Sequence, residues 1–279
     1  MNRLKSLFIS AWMTLLFAGA VRSGWELYNH PSSITWYWVL LSMATPLVFF
    51  GWVFTGNVAR TQTATKVIFG VTVLSLLGAA LSPSPTLEAL AWILSIGVIG
   101  SAMYEWWYSS FGDRSNEILS VGQTLPALEF IAADGSAIRT QELNKPMLMI
   151  FYRGNWCPLC MAQIKEIAGQ YRELAAKGVE IMLISPQPQS HTASLAQRFD
   201  APMSFLVDKD NAMAKRLGIV ALNGLPAGLE VLGYESDTVL PTVIMTNVSG
   251  KILFADLTDN YRVRPEPETF LDVFAQAGI

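Results

Sequence analysis

Two cysteines, the only ones in 279 residues, stand three apart in Trp156-Cys157-Pro158-Leu159-Cys160. The apolar run Met147-Leu148-Met149-Ile150-Phe151-Tyr152 comes just before them. A pair at i and i+3, opening a helix behind a strand, suits dithiol–disulfide chemistry. A helix N-terminus carries partial positive charge and unpaired N–H groups, which lower the first thiol's pKa, so Cys157 is the expected accessible nucleophile. Its thiolate attacks a disulfide or an oxidised thiol and forms a mixed disulfide. Cys160 shares a helical stripe with Ile164, Ile167 and Tyr171, so it is expected to be buried and to resolve that intermediate. Pro158 takes the first helical position, where a missing N–H costs nothing. Trp156 reads as a lid over the thiolate or as a packed ring. Arg153 reads either as a stabiliser of a thiolate or peroxide or as a solvated loop residue.

Two plainer uses of the pair are weaker. Zinc needs four ligands, and beyond the two cysteines only His30 and His191 are on offer, so neither a metal nor a cofactor is expected. A structural disulfide this short would close little chain entropy.

The residues around the pair alternate strand and helix patterns. Ala127–Ala132 and Ser136–Thr140 flank Asp134-Gly135, a hairpin signal. Met147–Tyr152 is a buried strand, and Cys157–Lys177 a helix with apolar positions at 160, 164, 167, 171 and 174, stopped by Gly178. Val179–Ser185 is a second strand, Thr192–Phe199 a helix, Ser204–Val207 a strand and Ala212–Leu217 a short helix. Thr242–Met245 and Ile252–Ala255 are strands about a Ser249-Gly250 turn, and Pro267–Ala277 is a closing helix. This pattern, with its cysteines, resembles an α/β thioredoxin-like domain over 119–279, with residues 111–118 as a polar linker and about four all-α transmembrane helices before it.

Tyr152-Arg153-Gly154-Asn155-Trp156-Cys157 is similar, without gaps, to the thioredoxin approach to its redox pair. Leu240-Pro241-Thr242 before Val-Ile-Met resembles the superfamily's cis-proline segment. The resemblance implies a cis Pro241 that sets the Leu240 backbone beside the sulfurs, ready to pair with an extended substrate strand. Ile184-Ser185-Pro186 and Leu206-Val207-Asp208 resemble the alkyl hydroperoxide reductase/thiol-specific antioxidant branch, and Tyr-Arg-Gly-x-Trp-Cys-Pro-x-Cys resembles its peroxiredoxin-like members. The sequence departs from peroxiredoxins at several points. Gly154 stands where they carry Thr or Ser, the cysteine loop is shortened to thioredoxin length, and their arginine is missing from Asp237–Leu240. Phe151 replaces thioredoxin's buried acid. These departures favour the dithiol reading over a peroxidase with Cys157 peroxidatic and Cys160 resolving. Arg262 and Arg264 read most simply as surface residues.

The first half is of another kind. Residues 1–110 hold five basic and three acidic residues, a net +2, and the remainder 14 and 19, a net −5. Apolar stretches at 7–21, 34–55, 67–81 and 87–108 approach or reach the roughly 20 residues that span a bilayer. Aromatics crowd their ends, as at headgroup depth. Met1–Lys5, Leu7–Phe17 and Ala18-Gly19-Ala20 also match a signal peptide, so a retained helix and a cleaved leader both stay open. Glu26, His30 and Glu105 read as interfacial. Arg3, Lys5, Arg60, Lys66 and Arg114 against Arg22 on the other side place the C-terminal domain in the cytoplasm of an integral, bacterial-type inner-membrane protein. The partners expected are a protein or small-molecule disulfide or thiol, or a peroxide, together with an external thiol reductant and the lipid bilayer. Nucleic acid is not expected, because the soluble half is acidic and has no basic stripe. A redox-sensing binding protein remains as a third reading.

Overall fold

The computed structural model describes residues 2–199 and 201–279, so Met1 of the basic N-terminal stretch lies outside them. It divides into two compact units, the first built from Arg3–Gly56 and Arg60–Ser110 and the second mainly from Phe111–Ile279.

The first unit is helical: α1 (Asn2–Asn29), α2 (Ile34–Thr55), α3 (Gln62–Ala80) and α4 (Leu87–Tyr108). All four are long and apolar enough to cross a membrane. α2 and α4 match the stretches read from hydropathy. α1 continues past the expected end because Arg22 meets Glu26 one turn on and reaches Glu88 at 3.0 Å, so the helix carries its charges as a paired group. α4 adopts π-helical geometry over Ile93–Ile99 and Met103–Tyr108. In the first of these segments the Trp12 indole donates to the Ile96 carbonyl at 2.9 Å, the kind of inserted donor that loosens an α-helical ladder. Gly100 makes room for that indole: a Cβ there would lie 2.2 Å from Trp12 Nε1. Glu105 is buried at 7% exposure within the second π-helical segment.

The second unit is a seven-stranded mixed sheet with helices packed on it. Its elements are β1 (Glu129–Ala132), β2 (Ala137–Arg139), β3 (Met147–Phe151), α5 (Pro158–Ala176), β4 (Glu180–Ser185), α6 (Gln189–Ala196), β5 (Ser204–Val207) and α7 (Ala212–Arg216). They continue with β6 (Val220–Ala221), β7 (Thr238–Val239), β8 (Thr242–Thr246), β9 (Ile252–Asp256) and α8 (Pro267–Gln276). The strand order is β2-β1-β5-β4-β3-β8-β9, and β6 pairs with β7 apart from the sheet. β3 runs parallel to β4, and β4 to β5, while β8 and β9 are antiparallel. A central β3 buried over all five residues explains its unbroken apolar run. Alternation sends Met147, Met149 and Phe151 into a cluster with Met182, Ile184, Leu206 and Ile244. Leu148 and Ile150 point to the other face.

Three details differ from the sequence reading. α6 starts at Gln189, earlier than Thr192, because Pro188 supplies the preceding extended residue. The β6–β7 pair spans only two residues on each side, too short for any periodicity to register. The stretch 111–118 is folded into the second unit: Asn116 Nδ2 donates to the Leu217 carbonyl at 2.7 Å, and Arg114 is buried.

Candidate active site

The cysteine loop leaves the end of β3. Tyr152 N–H continues the sheet by donating to Ile184 O at 2.9 Å, and its ring is fully buried. Gln187 lies behind the loop, donating to Tyr152 Oη at 3.0 Å and Thr192 Oγ1 at 3.1 Å. Its Oε1 accepts from Asn155 N–H at 2.9 Å. Burial raises the Tyr152 phenol above its usual range, and negative charge at Cys160 adds to this, so the ring stays a neutral hydrogen-bonding group. Gly154 has φ +148, and a Cβ there would lie 2.7 Å from Trp156 Nε1. Backbone and indole together reserve that position for glycine.

Trp156 is half-buried, with the Arg153 guanidinium 4.5 Å over its ring. That guanidinium also donates to the Gly224 carbonyl, and Thr238 Oγ1 donates back to Arg153 O at 2.9 Å. The His191 and Tyr234 rings meet edge-on at 4.7 Å. These contacts tie the long 222–237 loop to the cysteine loop.

Cys157 is the N-cap of α5 and Pro158 its first residue, as the spacing predicts. Its accessibility differs from expectation. The two thiols are free and both buried, Cys157 at 3% exposure and Cys160 at 0%. The Cys157 side chain caps no backbone N–H of α5. Burial, and then the side chain and charge of Cys160, push the Cys157 thiol well up. Burial opposes charge at Cys160 too, but the Cys157 hydrogen bond, the Arg264 and Arg153 charges and the Arg153 backbone N–H outweigh it. Together they bring Cys160 down to about 5.

Arg264 is the residue that sequence reasoning missed. It is buried, with Nη2 3.4 Å from Cys160 Sγ and Nη1 donating to Gln163 Oε1 at 2.6 Å. Arg262 is buried as well, at 1% exposure, so neither arginine is a surface residue. Arg262 lies in a turn closed by Val263 N–H on Asn260 O at 3.0 Å, so no local periodicity signals the burial of either arginine.

The Leu240–Pro241–Thr242 segment sits at the start of β8. No peptide bond among the described residues is cis, so Pro241 is trans, contrary to expectation. Leu240 is also engaged within the chain: its N–H donates to Ile219 O at 2.8 Å and its carbonyl accepts from Thr242 Oγ1 at 2.8 Å. Arg114 clamps the segment. Its Nη1 donates to Pro241 O at 2.9 Å and Thr258 O at 3.0 Å, and its Nη2 to Thr242 Oγ1 at 2.6 Å.

Residues 121–255 match the model of the AhpC/TSA family. The thiol-disulfide oxidoreductase ResA of Halalkalibacterium halodurans is 25% identical over 162 residues, which is 57% of this chain and 80% of that protein. A chloroplastic peroxiredoxin Q of Populus jackii is 28% identical over 102 residues, 36% of this chain and 47% of that protein. Among solved structures, the peroxidoxin BcpB of Mycobacterium tuberculosis superposes with a TM-score of 0.46 at 18% identity, covering 58% of this chain and 98% of its own. The second unit is thus an AhpC/TSA domain of the thioredoxin superfamily, and the protein that carries it, with four apolar helices consistent with a membrane region, is an oxidoreductase.

Proposed function

We propose that the protein is a membrane-anchored thiol–disulfide oxidoreductase working through Cys157 and Cys160. The observation that carries this is the free, buried cysteine pair at the N-terminus of α5, with the Arg264 guanidinium 3.4 Å from Cys160 Sγ. A dithiol in contact closes to a disulfide with little backbone movement, and the guanidinium charge favours the thiolate that exchange requires. The substrate is a protein or small-molecule disulfide, and an external thiol returns the pair to its reduced state. Four spans bring the chain back to the side of its basic N-terminus, the cytoplasmic side by the positive-inside count, where the pair works as a reductant. The lone basic residue of the opposite side, Arg22, is paired with Glu26 and Glu88, which agrees with that orientation.

Titration of the full chain in detergent micelles with glutathione buffers tests the proposal. A Cys157–Cys160 disulfide should form and reopen reversibly with two electrons. If no such bond forms at any accessible potential, the proposal falls.

The arginines beside the sulfurs also suit a peroxide, so thiol peroxidase activity is the second reading. Rapid mixing of reduced protein with hydrogen peroxide decides it: a rate no faster than that of a free thiol rules it out.

A further inference from the structure

The geometry assigns Arg264 a catalytic part in the second half of the exchange: its guanidinium holds the negative charge that Cys160 takes on to release the substrate from Cys157. This rests on the dithiol reading of the site and names the residue that drives its closing step.

Once Cys157 is joined to a substrate as a mixed disulfide it has no thiol left, and release depends on Cys160 becoming a thiolate. Cys160 is at 0% exposure. A bare charge in such a place is costly, because nothing replaces the lost water. Arg264 removes that obstacle. Its Nη2 lies 3.4 Å from Cys160 Sγ, and a guanidinium stays charged across the pH range in which proteins stay folded. Its Nη1 donates to Gln163 Oε1 at 2.6 Å. Gln163 is itself buried, one turn along α5 from Cys160, so a polar group on the same helix face aims the guanidinium at the sulfur. Gln163 acts through Arg264 and is a positioning residue. The charged and titratable groups around Cys160 are Cys157, Arg264 from the approach to α8, Arg153 from the cysteine loop and Tyr152 from the end of β3. Asp256 of β9 lines one small cavity together with Arg264 and Gln163.

The exchange balances in three steps. Cys157–S⁻ attacks R–S–S–R′, forms Cys157–S–S–R and expels R′S⁻. Cys160–SH gives its proton to a base in the solvent, hydroxide or buffer, and the thiolate left behind pairs with Arg264. Cys160–S⁻ attacks Cys157 Sγ, closes Cys157–S–S–Cys160 and expels RS⁻. The substrate gains two electrons and the pair loses two. Arg264 exchanges no proton; it lowers the cost of the charge on which the last step depends.

Rapid mixing of the reduced full chain, in detergent micelles, with one equivalent of dithiobis(nitrobenzoate) separates the two halves. This symmetric disulfide releases one coloured thiolate when Cys157 attacks and a second when Cys160 resolves. An opposite charge beside a thiol moves its acidity by about two pH units, so losing the cation cuts the thiolate fraction about 100-fold. The more basic sulfur regains about tenfold in nucleophilicity. Arg264→Gln should therefore slow the second release about tenfold relative to the first at neutral pH. The gap should close as pH rises, because hydroxide then makes the thiolate that the guanidinium no longer favours. Arg264→Lys should recover part of the rate. Gln163→Leu should lose less than Arg264→Gln, with the same dependence on pH. An unmoved ratio of the two releases, or a slowing equal at every pH, overturns the inference. If the variants do not fold, the wild type decides: its second release should level off below the ordinary thiol value of about 8.5, and a rate that climbs through that value overturns the assignment. A glutathione titration that yields no disulfide sinks the proposed function, whereas a disulfide that forms while the ratio stays unmoved sinks this inference alone.

Discussion

The Arg114 guanidinium donates to the Pro241 carbonyl at 2.9 Å across 127 residues of sequence, joining the start of the second unit to the entrance of β8. The same side chain reaches Thr242 Oγ1 and Thr258 O, so one cation organises the β8 entrance and the turn after β9. Pro241 O points at a guanidinium and Leu240 is satisfied within the chain. The backbone at the β8 entrance is therefore internally bonded.

Arg114→Gln removes the charge and shortens the reach, leaving the Pro241 and Thr258 carbonyls with weaker partners. Loss of charged hydrogen bonds at a buried site costs on the order of 2–4 kcal/mol. Denaturant unfolding of the variant should show a loss of that size. An unchanged midpoint would mean that water replaces the clamp at no cost.

Gly154→Thr tests whether the peroxiredoxin hydroxyl fits this loop. The glycine φ of +148 and the Trp156 indole 2.7 Å from a built Cβ both oppose it. Strain of about 1–3 kcal/mol follows from the backbone alone, and Trp156 must also shift. The variant should melt lower than wild type and react with hydrogen peroxide no faster. A gain in peroxide rate with undiminished stability would show that the loop accommodates the hydroxyl after all.

Stability of the reduced protein should follow pH through the pair. Cys160 is held at about 5, below an ordinary thiol. Its contribution is complete above the unfolded thiol's value near 8.5 and drains away as pH falls through about 5. Cys157, held up, works the other way: above about 8.5 the unfolded chain releases a proton that the folded chain keeps, and stability falls again. Melting of the reduced chain, referred to its disulfide form, should therefore rise from pH 5 toward 8 and decline beyond 9. A flat difference across that range would leave the pair without a depressed thiol.

The cysteine spacing, the N-cap position of Cys157 and the buried run of β3 were legible in sequence because each rests on neighbours within one element. The Arg264 contact with Cys160 was not, because Arg264 stands more than 100 residues away and its charged side chain reads locally as solvated. The burial of Glu105 escaped for a similar reason: hydropathy counts residues along a helix and carries no sign of a π turn. The AhpC/TSA resemblance ran through motif residues and held. The trans Pro241 departs from that resemblance where Arg114, a residue the motif does not include, takes the carbonyl.

Cys157 at 3% exposure cannot meet a protein disulfide without local opening, and the contacts that close the site name what must move. Arg153 stacks on Trp156 at 4.5 Å and donates to Gly224 O, while Tyr234 abuts His191. Arg153→Ala removes a cation–π contact and a charged hydrogen bond, together worth about 1.5–3 kcal/mol of closure. At about tenfold per 1.4 kcal/mol, the open fraction should grow on the order of 10- to 100-fold. Maleimide labelling of Cys157 in the reduced full chain, at a pH where the thiolate fraction is measured in parallel, should accelerate by that factor. Tyr234→Ala should do the same more weakly, without touching the cysteine loop. If both variants label at the wild-type rate, entry to the sulfurs does not pass beneath the 222–237 loop, and the way in lies elsewhere around the pair.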